Sequence, residues 1–414
     1  MKMIVRGIPH PGMSFREFVA LTAALMALNA LAIDSMLPAL PVIGRDLGLT
    51  AANQQQWVVT SYLLGFGGAQ IFYGTLSDRF GRKPVLLAGT AMYIVFSVLA
   101  GFASSFETML AARVLQGVGA AATRVISVSI VRDCYSGRQM ARVMSLAFIV
   151  FLAVPILAPS VGQLIILFAP WHLIFGVLAA FGAAVFAWVA LRLPETLHGE
   201  DVMPISASRV LRAFRATLSD RLAVGYMFAT AFVIGGLFGY INSAQQIFVD
   251  VLHAPNLFTI VFALTAGFMA LSSLLNSRLV ERVGMRVMSH SALIGYIALS
   301  ALHLIVVLAG FESLWVFAAL QGGVMFCFGL LAGNFGAMAM QPLGHVAGTA
   351  ASVQGFFTTV GGALVGLYIG QHFNGTTVPM TIGFTMCGLM ALACVLFAER
   401  GRLFRPHNPP AAQH

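Results

Sequence analysis

Apolar runs of about 20 residues alternate with short polar connectors from one end of the chain to the other. Twelve runs fall near 17–43, 54–76, 84–103, 107–131, 141–166, 171–193, 222–246, 257–277, 287–309, 313–335, 347–371 and 378–398. A hydrocarbon core about 30 Å thick takes about 20 helical residues to cross. Transmembrane strands would instead show alternating segments of about ten residues, and the runs have no such alternation. Lipid offers no partner to a bare backbone amide, so each run closes its own hydrogen bonds as a helix. The pattern predicts an all-α polytopic membrane protein with twelve transmembrane helices.

The first run has an unusual interior. Between Phe18 and Ile43 the only charged residue is Asp34, followed by Pro38 and Pro41. An acid at a helix centre costs about 2.5–3.5 kcal/mol on insertion scales, so it is ordinarily paired or functional. Lys2, Arg6 and Arg16 before the run, with Ala30-Leu31-Ala32 inside it, imitate a secretory signal. The apolar stretch continues past that point to Ile43, which predicts an uncleaved first span.

Charge adds an orientation. Only 9% of the residues are charged, against roughly 25% in soluble proteins. Of 23 Lys and Arg, 20 cluster before the first run, at 79–83, 132–142, 192–221 and 278–286, and at 400–405. These clusters occupy alternate connectors, so the positive-inside rule predicts both termini in the cytoplasm. That pattern accounts for the net charge of +9 without nucleic-acid binding, with some attraction to the anionic lipid surface. Cys134, Cys327, Cys387 and Cys394 have no metal-ligand spacing and are expected to be unpaired. No metal and no cofactor are expected.

The longest polar interruption, 194–221, divides the chain into equal halves. Arg209, Arg212 and Arg215 recur there at helical spacing beside Val210, Leu211 and Phe214, as in a short helix on the inner membrane face; a solvated basic linker fits equally. "GTLSDRFGRK" at 74–83 and "SRLVERVGMR" at 277–286 match at an offset of 203, and "VLQG" at 114–117 matches "ALQG" at 319–322 at an offset of 205. Each pair occupies corresponding places in its half, which predicts a duplicated six-helix unit. The expected organisation is a bundle over 1–193, a linker over 194–221, a bundle over 222–398 and a tail over 399–414, with a cavity between the bundles.

These segments also resemble a known family. "GTLSDRFGRKP" looks like the signature loop of the major facilitator superfamily, and "RVLQGVGAA" at 113–121 is similar to the fourth-helix motif of its proton-coupled members. "PILAPSVGQ" at 155–163 resembles the fifth-helix motif of its drug antiporters, although Ala158 and Gln163 stand where glycine is frequent. "LPALP" after Asp34 and "LPETL" at 193–197 look like the bicyclomycin/chloramphenicol-resistance subfamily. The resemblance implies a monomeric inner-membrane transporter that exchanges small amphipathic compounds for protons.

The candidate chemistry follows from residue types and depth. Asp34 and Arg113 fall at similar depth on oppositely running helices, where a changing distance or changing water access would change the acid's protonation. They are the candidate proton-coupling pair. Arg113, Gln116, Gly117, Ala120, Arg124 and Ser127 share one face of the fourth run, which argues for a water-lined cavity. Arg124 could instead snorkel to the cytoplasmic surface. Tyr62, Tyr240, Asn242, Gln245, Gln321, Asn334 and Gln354 are further candidates for a substrate cavity. Polar groups in spans also act as interhelical glue, worth about 0.6 kcal/mol on average. His303 in the ninth run reads most simply as a satisfied histidine.

In the 74–84 loop, Gly74 is suited to close helix approach, Gly81 to a positive-φ turn and Pro84 to a helix start. Asp78 beside Arg79, Arg82 and Lys83 can bond to neighbouring helix ends, and the resemblance gives this cluster a gating role. Pro155, Pro159 and Gly162 should bend the fifth helix and let it pack closely.

No GxxxxGK[ST] phosphate loop is present, so ATP is not the expected energy source. No HExxH or GxSxG cluster supports an enzyme. The expectation is a secondary transporter working on small molecules and protons. Proton-coupled uptake of a metabolite uses the same parts, and a membrane receptor or scaffold leaves Asp34 with Arg113 unexplained.

Overall fold

The computed structural model describes residues 13–135, 137–199, 202 and 207–404. Lys2 and Arg6 of the basic start, part of the 194–221 linker and tail residues 405–414 lie outside the described residues. The chain forms two compact units, Met1–Val210 and Leu211–His414. The first contains α1 (Phe15–Asp34), α2 (Leu40–Asp46), α3 (Trp57–Phe80), α4 (Arg82–Gly101), α5 (Phe106–Cys134), α6 (Gly137–Phe168) and α7 (His172–Arg192). After α8 (Ala207–Ser219), the second contains α9 (Arg221–Gln246), α10 (Phe258–Val283), α11 (Met285–Leu308), α12 (Leu314–Met340), α13 (Ala347–Gln371) and α14 (Val378–Ala398).

Among the described residues, eleven segments are long and apolar enough to cross a membrane. The remaining run of the twelve is α3, whose 24 residues also reach across about 36 Å. It is less apolar because Thr60, Ser61, Gln70, Tyr73 and Ser77 lie on its buried face. The lipid-facing surface is apolar in the ordinary way of membrane helices: Phe72, Leu99, Leu164, Leu191 and Ile305 all stand exposed.

The first run differs from the expected single helix. Its α-helix ends at Asp34, and a 3-10 turn (Leu37–Ala39) then leads into α2. Pro38 explains the position of the break: it has no N–H for the Asp34 carbonyl, and its ring would clash with that carbonyl in a continued helix. Ser35 closes the end, with both its N–H and its hydroxyl donating to Leu31 O at 3.1 and 2.6 Å. A membrane helix therefore terminates inside the unit, with Asp34 as its last residue.

Close helix contacts depend on missing side chains. A Cβ on Gly65 of α3 would overlap the Val114 carbonyl oxygen of α5, and one on Gly117 of α5 would overlap that of Tyr62. On α6, which stays helical through Pro155 and Pro159, a Cβ on buried Gly162 would overlap the Ser35 carbonyl oxygen at the α1 break. The reversal after α3 uses Gly81 at φ 98°, and that after α10 uses Gly284 at φ 89°, angles that side-chain-bearing residues rarely adopt. The amphipathic α8 buries Ala213 and Thr217 and exposes Leu211, Arg212, Arg215 and Leu218. Its Phe214 ring packs on Phe357 of α13, whereas the Arg209 side chain lies outside the described residues.

Candidate functional site

Asp34 is 5% exposed, and its carboxylate has no hydrogen-bond or ion-pair partner among the described residues. Burial without a partner is the costly arrangement for a carboxylate, which marks the position for a role other than packing.

Arg113, the other member of the candidate proton-coupling pair, reaches the turn that carries Asp34 without forming an ion pair with it. Its Nη2 donates to the Ala32 carbonyl at 3.0 Å, Nε to the Val58 carbonyl at 2.9 Å and Nη1 to Gln116 Oε1 at 2.5 Å. The guanidinium carbon lies 4.5 Å from the Tyr62 ring centroid. The physical reason is the α1 break. A terminating helix leaves its last carbonyls without intrahelical donors, and a cation at a helix C-terminus answers both those lone pairs and the negative end of the dipole. Arg113 is thus a cap on the turn that carries Asp34, linked to α3 through Val58 and Tyr62.

Other polar groups extend the network through the first unit. Gln116 Nε2 donates to Ser97 Oγ on α4 at 2.7 Å, and Ser97 Oγ donates to the Tyr93 carbonyl. The Tyr62 hydroxyl donates to Asn29 Oδ1 at 3.0 Å, while Asn29 Nδ2 donates to Thr123 Oγ1 at 3.1 Å. Asn29, Ser97 and Thr123 were not among the sequence candidates. Asn29 carried a usable signal, being the only side-chain amide in the first run.

The stripe on α5 is split by exposure. Arg113 and Gln116 are fully buried and serve the network, whereas Arg124 is exposed and has no ion-pair partner among the described residues. In the second unit, the Tyr240 hydroxyl lies 3.2 Å from Thr265 Oγ1. Asn334 Nδ2 donates to Asn276 Oδ1 at 2.8 Å, and Gln354 Nε2 donates to the Gly336 carbonyl at 3.2 Å. These bonds tie α9 to α10, α12 to α10 and α13 to α12. Asn242, Gln245 and Gln321 are buried, and Gln321 Nε2 has no partner among the described residues. His303 is buried 3.4 Å from Glu312, which itself accepts from Thr377 at 2.5 Å.

At the end of the first unit that carries the 74–84 loop, Arg82 rather than Arg79 is central. Arg82 Nε donates to Asp133 Oδ2 at 2.9 Å, and Nη1 donates to Asp78 Oδ1 at 2.5 Å and Ser77 Oγ at 2.8 Å. Glu195 accepts the Arg82 and Lys83 N–H groups at 2.9 and 3.1 Å, capping the start of α4. Lys83 Nζ donates to the Ala190 carbonyl. Arg79 points outward, exposed. The sequence reading missed Asp133 and Glu195, the acids that lie among the basic clusters at this end of the unit.

Comparison with known proteins sets this geometry in a family. Residues 22–366 match the model of the Major Facilitator Superfamily. The chain is 30% identical over 384 residues to a bicyclomycin resistance protein homolog of Haemophilus influenzae, covering 92% of this chain and 95% of that protein. It is 29% identical over 397 residues to the multidrug resistance protein MdtL of Escherichia fergusonii, covering 95% and 98%. Among solved structures, it superposes on the human organic anion transporter MFSD10 (TETRAN) with a TM-score of 0.69 at 18% identity, over 93% of this chain and 100% of that one. It superposes on a D-xylose–proton symporter with a TM-score of 0.71 at 14% identity, over 94% and 98%. The chain belongs to the major facilitator superfamily of membrane transporters.

Proposed function

We propose that this protein exports small amphipathic compounds, drugs among them, across the bacterial inner membrane in exchange for protons. Its relatives' names supply the substrate class, and the basic connectors support cytoplasmic termini. The observation that carries proton coupling is Asp34: a buried, unpartnered carboxylate where a membrane helix breaks.

Asp34 is the proton carrier in this reading and Arg113 positions it. A carboxylate at that point keeps its charge when water or a cation reaches it, and takes a proton when neither does. Arg113 holds the last turn of α1 by the Ala32 carbonyl, so a movement of α5 or α3 against α1 changes what Asp34 meets. Gly162 brings α6 onto the same break through Ser35. The Asp78–Arg82–Asp133 cluster is the inner latch, made in one transport state and broken in the other. Tyr240, Asn242, Gln245, Gln321, Asn334, Gln354 and Arg124 are candidate substrate contacts, within a monomer working by alternating access.

Inverted membrane vesicles containing the overexpressed protein test the proposal. An inward-acid gradient should drive accumulation of at least one compound from a panel of amphipathic antibiotics, and a protonophore should abolish it. Accumulation that persists without a gradient, or flux of a metabolite only in the uptake direction, contradicts the proposal.

A further inference from the structure

The second unit contains a buried hydrogen-bonded chain that ends on the segment following α14. Glu399, which caps that helix, accepts from Arg286 Nε and from the Tyr226 hydroxyl, each at 2.7 Å through Oε1. Both side chains of the ion pair are nearly inaccessible, at 7% and 6% exposure. The Tyr226 oxygen lies 2.9 Å from His290 Nε2, and His290 Nδ1 lies 3.1 Å from the Phe404 backbone nitrogen.

Donor counting fixes the direction of every bond. A backbone N–H can only donate, so His290 Nδ1 has no proton and accepts from Phe404. Tyr226 has one proton and gives it to Glu399, so its oxygen accepts from His290 Nε2–H. The imidazole is therefore neutral, with both nitrogens engaged. The segment it holds is unusually bent: Arg400, Gly401 and Phe404 have φ of 53°, 74° and 65°. Left-handed backbone at residues with side chains is costly and persists only where the surroundings enforce it. Here the Phe404 ring packs edge-on against His290 at 5.7 Å.

We propose that His290 is a second proton-binding site, independent of Asp34, and that its protonation releases Phe404, at the end of the 400–404 strap, from α11. A proton on Nδ1 converts the acceptor of the Phe404 N–H into a donor that opposes it. The strap then loses the hydrogen bond that holds Phe404, while Arg400, Gly401 and Arg402 keep their backbone bonds to Phe397, Leu396 and Glu399. The charged and titratable groups around the ring are Arg286 on its own helix, Tyr226 from α9 and Glu399 from the end of α14. The strap itself carries Arg400 and Arg402, and α12 contributes the uncharged Phe335 against Tyr226. Glu399 attracts a second ring proton and Arg286 repels it.

Amide hydrogen exchange on the full chain in nanodiscs, between pH 8.5 and 4.5, tests the site. Rates are expressed as protection relative to the intrinsic rate at each pH. Protection of the Phe404 amide should fall at least tenfold over this range in the wild type. His290→Asn, which keeps a non-titrating acceptor, should show a flat profile. Flat protection in the wild type overturns the proposal, as does an unchanged fall in a folded His290→Asn protein. Should that variant not fold, Glu399→Gln decides. Loss of the neighbouring carboxylate should move the midpoint to lower pH, and an unmoved midpoint overturns the proposal. The readout uses neither substrate nor gradient, so its failure is separate from any failure of the transport reading.

Discussion

Arg113→Lys separates a capping role from a purely electrostatic one, because it keeps the charge and removes the fork. The guanidinium reaches three acceptors in three directions, the Ala32 and Val58 carbonyls and Gln116 Oε1, while lying on the Tyr62 ring. An ammonium is a single point and reaches one of these acceptors while abandoning the other two. A hydrogen bond from a charged donor contributes about 1.5–3 kcal/mol, and the cation–π contact contributes about 0.5–2 kcal/mol. Partial relaxation around the site recovers some of this, so the net loss should be about 3–5 kcal/mol. For a unit of this size each kcal/mol moves the midpoint by about 2–4 °C, so thermal unfolding in detergent should fall by roughly 6–20 °C. The assay is intrinsic fluorescence during heating, with Arg124→Lys as the control at an exposed position of the same helix. A midpoint for Arg113→Lys within 2 °C of wild type refutes the capping account.

Three further outcomes follow from named contacts. Gly162→Ala places a methyl group against the Ser35 carbonyl; it should lower stability by about 1–3 kcal/mol and slow transport, measured by thermal unfolding and vesicle uptake. Arg82→Ala removes the partner of Asp78 and Asp133; turnover should fall more than tenfold with equilibrium substrate affinity within twofold, and equal loss of both argues against a latch. Arg79→Ala, at an exposed side chain, should transport within about twofold of wild type in the same assay, because it contributes nothing to the latch within its own unit.

Helix number and placement were legible because lipid leaves a spanning segment one way to satisfy its backbone. The break in the first run was half legible. Pro38 and Pro41 signal a disturbance, but placing the helix end at Asp34 requires knowing that no alternative donor reaches its carbonyl. Arg113 illustrates what the sequence conceals. Two of its three acceptors are backbone carbonyls, which every residue possesses, so no side-chain pattern announces them. An acid and an arginine at matched depth suggested each other, whereas the structure gives the arginine to the helix end that carries the acid. The Arg82 cluster was nearer to view, since Asp133 and Glu195 are acids set among basic connectors and such acids are the natural partners of Arg82 and the α4 amides. Exposure of Arg124 and burial of Gln116, eight residues apart on one stripe, depended on packing that periodicity does not report.

The central claim is that Asp34 carries the transported proton. It is tested most directly by substrate-driven proton movement in proteoliposomes containing Asp34→Asn, which resembles the protonated acid and releases no proton. The wild type should move protons on addition of a transported compound, and the variant should bind that compound while moving none. Proton movement at the wild-type rate in correctly inserted Asp34→Asn protein would contradict the account and place the carrier elsewhere.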